Sequence, residues 1–402
     1  MTFKITFLKM PAIMVFIASL FLLQILAGIT VVAAASDGSP KENGANAHAG
    51  NPDQLKADPP FHIRGPPINV QGATPTYVIL SGGLDVNKIK TVYNLPPSGG
   101  SGTIAIIDAF NYPTANTDLN TFSSQFGLPL CNSTNPCFEI HKMASKIRTD
   151  GGWALEMALD TQWAHAIAPN AKILLVEAKS NSLTDLFAAV DYARSRSDVV
   201  AISMSWIAGE FPSESSYDYH FTSSKATFFA ASGDGGTGIG YPAASPNVVA
   251  VGGTSLNMSN GSLLPETAWS GSGGGLSAYE TEPSYQLTYN VPQANGKRAV
   301  PDVSYNADPN SGVYVYDSTP YYGLIGWWIV GGTSAGTPQW AAIKSLGLSA
   351  SNDKFYPDAQ TSYSSHFRDI TSGTNGACGF YCNAMAGYDY VTGLGSPITT
   401  IY

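Results

Sequence analysis

From about Tyr77 to Tyr402, short apolar runs alternate with segments of helical periodicity. Thr103–Ile107 predicts a buried strand ending at Asp108, and Gly152–Ala168 predicts a helix. Lys172–Glu177 predicts the next strand, and Leu183–Arg194 a helix with Leu186, Val190 and Tyr192 among its apolar positions. Val199–Ser203, Thr227–Ala231 and Val248–Val251 predict further strands, and Ser334–Leu346 a helix opened by small residues. This alternation predicts one large α/β domain, a mostly parallel sheet with helices on both faces. Sites in such sheets collect at the carboxyl ends of strands. That rule directs attention to Asp108, Ser203–Ser205, Ser232–Asp234 and Gly331–Ser334.

The amino-terminal part differs. Lys4 and Lys9 precede an uncharged stretch from Met10 to Ala35, which ends in Ala33-Ala34-Ala35. The order basic, apolar, small predicts a secretory signal peptide over 1–35. The run is also long enough to span a bilayer, so a membrane anchor through 10–32 is the alternative. Either way the remainder is expected outside the cytoplasm, secreted or anchored. Residues 36–75 are rich in Ser, Asn, Gly and Pro and read as a linker or a pro-segment remnant. The domain is expected over 76–402. The four cysteines form two close pairs, Cys131/Cys137 and Cys378/Cys382. Export permits disulfides, and the short spacings favour two local loops. A zinc site would need thiolates converging from distant segments, without C-x-x-C spacing.

Charged residues make up only 12% of the chain, and the net charge is −9 with no basic block. This argues against nucleic-acid binding, which needs concentrated Lys and Arg. A chain with few Lys and Arg avoids strong self-repulsion in acid, although an ordinary secreted surface would look similar.

Gly331-Gly332-Thr333-Ser334-Ala335-Gly336-Thr337-Pro338 is the most informative segment. Glycines before the serine allow a tight strand-to-helix turn, which exposes Oγ beside backbone N–H groups and suits a nucleophile. An N-cap serine has the same appearance. None of the six histidines sits in an H-G-T-type motif. The acids are better placed. Glu156 and Asp160 are spaced i, i+4, which puts both carboxylates on one helix face among Trp153, Leu155, Met157, Leu159 and Trp163. Two close carboxyls share a proton and separate their pKa values. His165, nine residues past Glu156, falls on the opposite face. Asp234, between glycines after a strand, reads as a turn former or a site residue.

Together these pieces resemble the sedolisins, the serine-carboxyl peptidases with a subtilisin-like fold. The resemblance runs from about Leu84 to Tyr402. It rests on Lys88–Pro96, Thr103–Asp108, Glu156/Asp160, Ala231–Asp234, Pro301–Ser304, Gly331–Pro338, Asp369-Ile370 and Gly387–Pro397. It implies Ser334 as nucleophile, Glu156 as general base, Asp160 as the carboxyl orienting Glu156, and Asp234 as the acid lining the oxyanion hole. Asp108 is expected to be a structural or supporting acid. The resemblance also implies one structural Ca²⁺, held by the carboxylates of Asp369 and Asp389 and the carbonyls of Ile370, Met385 and Gly387. Without the resemblance, that segment reads as a turn capped by Asp389.

The implied activity is a peptidase acting on proteins or peptides; an endopeptidase is taken as the default over a tripeptidyl-peptidase, and a monomer is expected. A glutamate near its ordinary pKa and a protonated Asp234 would place its optimum at roughly pH 3–5. Sedolisins are usually made with a long folded propeptide, whereas about 40 residues separate Ala35 from the matching region. The propeptide is therefore expected to be absent, shrunk to 36–75 or supplied separately. Ser203–Trp206 and Glu210 resemble a substrate-cleft segment. Trp206, Tyr321 and Tyr322 are equally subsite or core candidates. A catalytically idle binding protein on the same scaffold is the alternative reading. A glycosidase using the paired carboxylates would leave Ser334 and its turn unexplained.

Overall fold

The apolar runs form a central sheet in the computed structural model, which describes residues 52–68, 80–259 and 262–398. All of these lie in one compact unit, 47–402. Residues 1–35, expected to be a signal peptide or anchor, lie outside the described residues. The elements that position the site are the strands β1 (His62–Ile63), β2 (Thr103–Ala109), β3 (Phe138–Lys142), β4 (Lys172–Ala178), β5 (Val199–Met204), β6 (Thr227–Ala231), β7 (Val248–Ser255), β8 (Thr267–Ala268), β9 (Val303–Asn306), β10 (Val313–Tyr321) and β11 (Leu324–Gly331). The helices are α1 (Gly151–Ile167), α2 (Leu183–Ser195) and α3 (Thr333–Ser345).

The eight-stranded sheet runs β8-β7-β6-β5-β2-β4-β3, with β9 also pairing with β7. All its pairings are parallel except the short β8–β7 contact. Every residue of β2 and of β7 is buried, as expected for inner strands of a parallel sheet covered by helices. The α/β fold and each strand and helix predicted from the sequence are present, with ends shifted by a few residues. Strand β2, for example, continues through Asp108 to Ala109.

Helix α1 is apolar on all sides and buried from Trp153 to Ile167. A helix of that kind belongs inside a protein. Asp150 caps it by accepting from Trp153 N at 3.3 Å. Gln162 donates to Tyr316 O and accepts from Tyr316 N at 2.7 and 2.9 Å, and Trp163 Nε1 donates to Tyr314 O at 2.9 Å. These bonds clamp α1 to β10 and fix its rotation. α1 also packs on α3 and β2, while α2 packs on β2, β4 and β5.

Residues 52–68 precede the domain start expected at 76 and lie against the body. They do not behave as a free linker, because backbone bonds tie them to the body. Asp58 and Ile207 exchange N–H···O bonds at 3.0 Å in both directions, and β1 pairs antiparallel with β11 to extend the β10–β11 hairpin.

Candidate active site

The fixed rotation of α1 aims Glu156 and Asp160 at the ends of β2 and β5 and the start of α3. Both are fully buried, so the solvated acidic face that an i, i+4 pair normally makes is not formed. Asp108, at the end of β2, stands beside Asp160 and is itself fully buried. Ser205, just after β5, reaches Asp160 and donates to Ser334 O at 3.5 Å. Ser334, the second residue of α3, turns its hydroxyl toward Glu156. The order through the interior is Asp108, Asp160, Glu156, Ser334.

Three carboxyls in one dry site cannot all ionise. Burial pushes the Glu156 pKa well up, and Asp160 and Asp108 push it further; the Ser334 hydroxyl works in the opposite direction. Burial also raises Asp160, against the influence of Ser205 and Glu156, and burial and Asp160 raise Asp108. A glutamate near its ordinary pKa, as expected from the sequence, is therefore not what the fold holds. Desolvation by burial is the first reason, and the neighbouring carboxyls are the second. The carboxylate oxygens of all three acids and Ser334 Oγ lack a hydrogen-bond partner of normal geometry among the described residues. Catalytic hydrogen bonds are often long at rest and tighten around a reacting group.

Asp234 lies on the other side of Ser334. Its Oδ1 accepts from Thr333 N and Thr333 Oγ1, both at 2.8 Å, and Thr333 Oγ1 accepts from Gly233 N at 3.2 Å. Burial raises its pKa to about 7 despite the two Thr333 bonds. Its Oδ2 comes within 3.4 Å of His62 Nε2. Gly332 has φ +108°, and a Cβ there would meet Pro60 O at 2.4 Å and Asp234 Oδ2 at 2.5 Å. Only glycine lets a carbonyl oxygen approach both Asp234 and the Ser334 N–H. The sequence reading took in Gly332, Thr333 and Ser205 only as members of the segments Gly331–Pro338 and Ser203–Trp206, with no role of their own. Their signal was adjacency to Ser334 and to the end of β5.

The remaining candidates separate. His165 sits opposite the acids and its Nε2 bonds Pro129 O at 2.8 Å. Trp206 is core: it is fully buried and donates to Ile107 O at 3.0 Å. Tyr322 is 77% exposed, while Tyr321 is half-buried against Phe61. The cysteines form the two local disulfides, Cys131–Cys137 and Cys378–Cys382, which removes the zinc reading.

For the expected calcium ligands, Asp369 and Asp389 both reach the 385–387 loop. Asp369 accepts from Gly387 N at 3.1 Å on each oxygen, and Asp389 accepts from Met385 N at 3.1 Å. Asp389 also accepts from Val391 N and Thr392 N at 2.8 Å, so it caps its own turn as well. Two carboxylates meeting one loop, with only hard oxygens in the set, fit Ca²⁺ in charge and donor chemistry.

Residues 151–370 match the subtilase family, and the chain belongs to it. The recognition as sedolisin-like also holds. Sedolisin of Pseudomonas sp. (strain 101) is 29% identical over 365 residues, 78% of this chain and 60% of that protein. Kumamolisin of Bacillus sp. (strain MN-32) is 33% identical over 286 residues, 60% of this chain and 49% of that protein. The chain thus spans roughly half the length of the curated relatives it matches. Among solved structures, Pseudomonas sedolisin, a serine-carboxyl proteinase complexed with two molecules of pseudo-iodotyrostatin, superposes with TM-score 0.67 at 27% identity. That match covers 79% of this chain and 96% of the other.

Proposed function

We propose that the chain is an acid-active serine-carboxyl endopeptidase. One observation carries the reading: Ser334 and Glu156, from different helices, meet in a dry site with Asp160 behind Glu156 and Asp234 across from it. In this reading Ser334 Oγ attacks the peptide carbonyl carbon and passes its proton to Glu156. Asp160 shares a proton with Glu156 and orients it. The Ser334 N–H and a protonated Asp234 donate to the oxyanion. Glu156 then returns the proton to the leaving amine, and water cleaves the ester by the same route reversed. All four positions carry the residue that the chemistry needs, which disfavours an idle scaffold.

The pH dependence follows from these groups. Asp234 donates only while protonated, so activity falls as pH rises through about 7. The base must be ionised, and its raised pKa moves the acid limb above that of an ordinary glutamate. The working window lies between these limits, on the acid side of neutrality. The test is digestion of a denatured protein across pH 2–8 by acid-preincubated wild type beside Ser334→Ala. Wild type digests in acid and fades toward neutrality, while the variant does nothing. Equal digestion by the variant would remove the proposal.

Asp369, Asp389 and the carbonyls of Ile370, Met385 and Gly387 would hold one Ca²⁺, which ties the carboxyl-terminal loop together when bound. Asp369→Ala is then expected to melt at a lower temperature than wild type with calcium present, and the two should converge in chelator. Identical melting in both conditions would contradict the calcium assignment. The substrates in this reading are unfolded proteins and peptides met outside the cytoplasm by a secreted or anchored monomer.

A further inference from the structure

Two glycines leave a hollow next to Asp234, and the side chain of Ile207 occupies it. Gly233 immediately precedes Asp234, and a Cβ on it would lie 2.9 Å from Ile207 Cδ1. A Cβ on Gly240 would lie 2.5 Å from Ile207 Cγ1 and 2.8 Å from Cδ1. Neither glycine is free to retreat. Gly233 has φ +108°, its N–H donates to Thr333 Oγ1 at 3.2 Å, and its carbonyl accepts from Gly273 N at 2.7 Å. Gly240 and Tyr241 pair antiparallel with Gly209 and Ala208, the two residues directly after Ile207. Packed interiors do not absorb an added carbon at such distances, so Ile207 fits only because both positions are glycine.

Main-chain bonds set the register of a chain in this cleft. Asp58 exchanges bonds with Ile207 at 3.0 Å in both directions, and two residues later Pro60 O accepts from Ser334 N at 3.3 Å. Pro60 O thus marks the place of a carbonyl under attack, beside Asp234 and the Ser334 N–H. The residue that carries this carbonyl lies only two positions from the one paired with Ile207, and here it is proline, whose ring is short. Ile207 itself is half-buried. We infer that Ile207 sets the specificity of the site. It closes the hollow that would take a long side chain, and it confines the residue on the carbonyl side of the scissile bond to Gly, Ala, Ser or Pro. The inference rests on the peptidase reading and names its substrate class. A bulky residue at that place has to displace Ile207 or hold its carbonyl away from Asp234 and the Ser334 N–H. A misplacement of about 1 Å costs on the order of 10²-fold in rate. A charged residue fares no better, since Ile207 and the two glycines give it no counter-charge.

The test uses acid-preincubated enzyme and two unstructured peptides that differ only in the residue before the scissile bond, Ala or Leu. Wild type is expected to favour the Ala peptide by about 10–200-fold in kcat/KM, the discrimination that one methylene produces in a fitted pocket. Ile207→Gly opens the hollow and removes or reverses the preference by raising kcat/KM for the Leu peptide. Ile207→Ala moves it part of the way. Digestion of a denatured protein by wild type, with the cut sites read by mass spectrometry, gives the same answer without a variant. Cuts are expected after Gly, Ala, Ser and Pro, and not after Leu, Phe, Tyr or Lys. An Ile207 that only fills space in the fold would, when shortened, lower activity on both peptides alike and leave their ratio where it was. An unchanged ratio in both variants, or wild-type cuts after bulky residues, would overturn the role of Ile207 and leave the peptidase reading standing. Failure of wild type to cut either peptide or the denatured protein would overturn both.

Discussion

Glu156→Gln is expected to lower kcat/KM by about 10²–10⁴-fold, the usual contribution of a general base. Ser334→Ala is expected to lose more, on the order of 10⁶-fold as for other serine nucleophiles. The glutamine keeps the size and the hydrogen-bonding capacity of the side chain but cannot take a proton from Ser334. A merely structural Glu156 would give a different signature. Three buried carboxyls repel and resist desolvation, so making one permanently neutral relieves the cluster. Glu156→Gln should therefore melt no lower than wild type at neutral pH while losing turnover. A variant that loses stability and keeps activity would refute the assignment. Sites that hold unfavourable charge for function commonly show this opposition.

The largest stability effect is expected at Asp302→Ala. Arg298 and Asp302 are both fully buried and joined by two bonds, at 2.7 and 2.5 Å. Asp302 also accepts from Ala250 N at 2.8 Å, Tyr356 OH at 2.7 Å and Asn352 Nδ2 at 3.2 Å. One carboxylate thus ties β7, the 297–302 segment and the region around Tyr356. Removing it leaves a guanidinium in the interior without its counter-charge, a change that typically costs about 3–5 kcal/mol. Urea unfolding checks this, with a large fall in midpoint expected for Asp302→Ala and a smaller one for Asp302→Asn, which keeps some of the hydrogen bonds. An unchanged midpoint would contradict it. The sequence presented Asp302 only as part of Pro301–Ser304. Its role as the anion of a buried pair depends on Arg298, whose exposure no pattern could reveal.

What the sequence disclosed follows from what each feature depends on. Strands β2, β4, β5, β6 and β7 announce themselves because burial on both faces demands continuous apolar runs. Glu156 and Asp160 are legible because carboxyls among Trp153, Leu155 and Trp163 conflict with their surroundings. Residues 55–68 were read as linker for an equally physical reason. Pro59-Pro60 and Gly65-Pro66-Pro67 carry no periodicity, and the segment is held by main-chain bonds that impose no side-chain pattern. The β10–β11 hairpin was also missing from the reading, although Val313–Tyr316 is rich in strand-forming residues. The pKa of Glu156 escaped because it depends first on burial and then on Asp160 and Asp108, and both the burial and the approach of Asp108, 48 positions away in the chain, arise only through the fold.

The central claim is that a carboxylate, not an imidazole, deprotonates Ser334, with a neutral Asp234 receiving the oxyanion. The most direct measurement is kcat/KM against pH, from pH 2 to 9, on a short unstructured peptide with the acid-preincubated enzyme. The account predicts a maximum below neutrality and a falling limb near pH 7, where Asp234 ionises. A kcat/KM that climbs through neutrality to a plateau above pH 8 would contradict it.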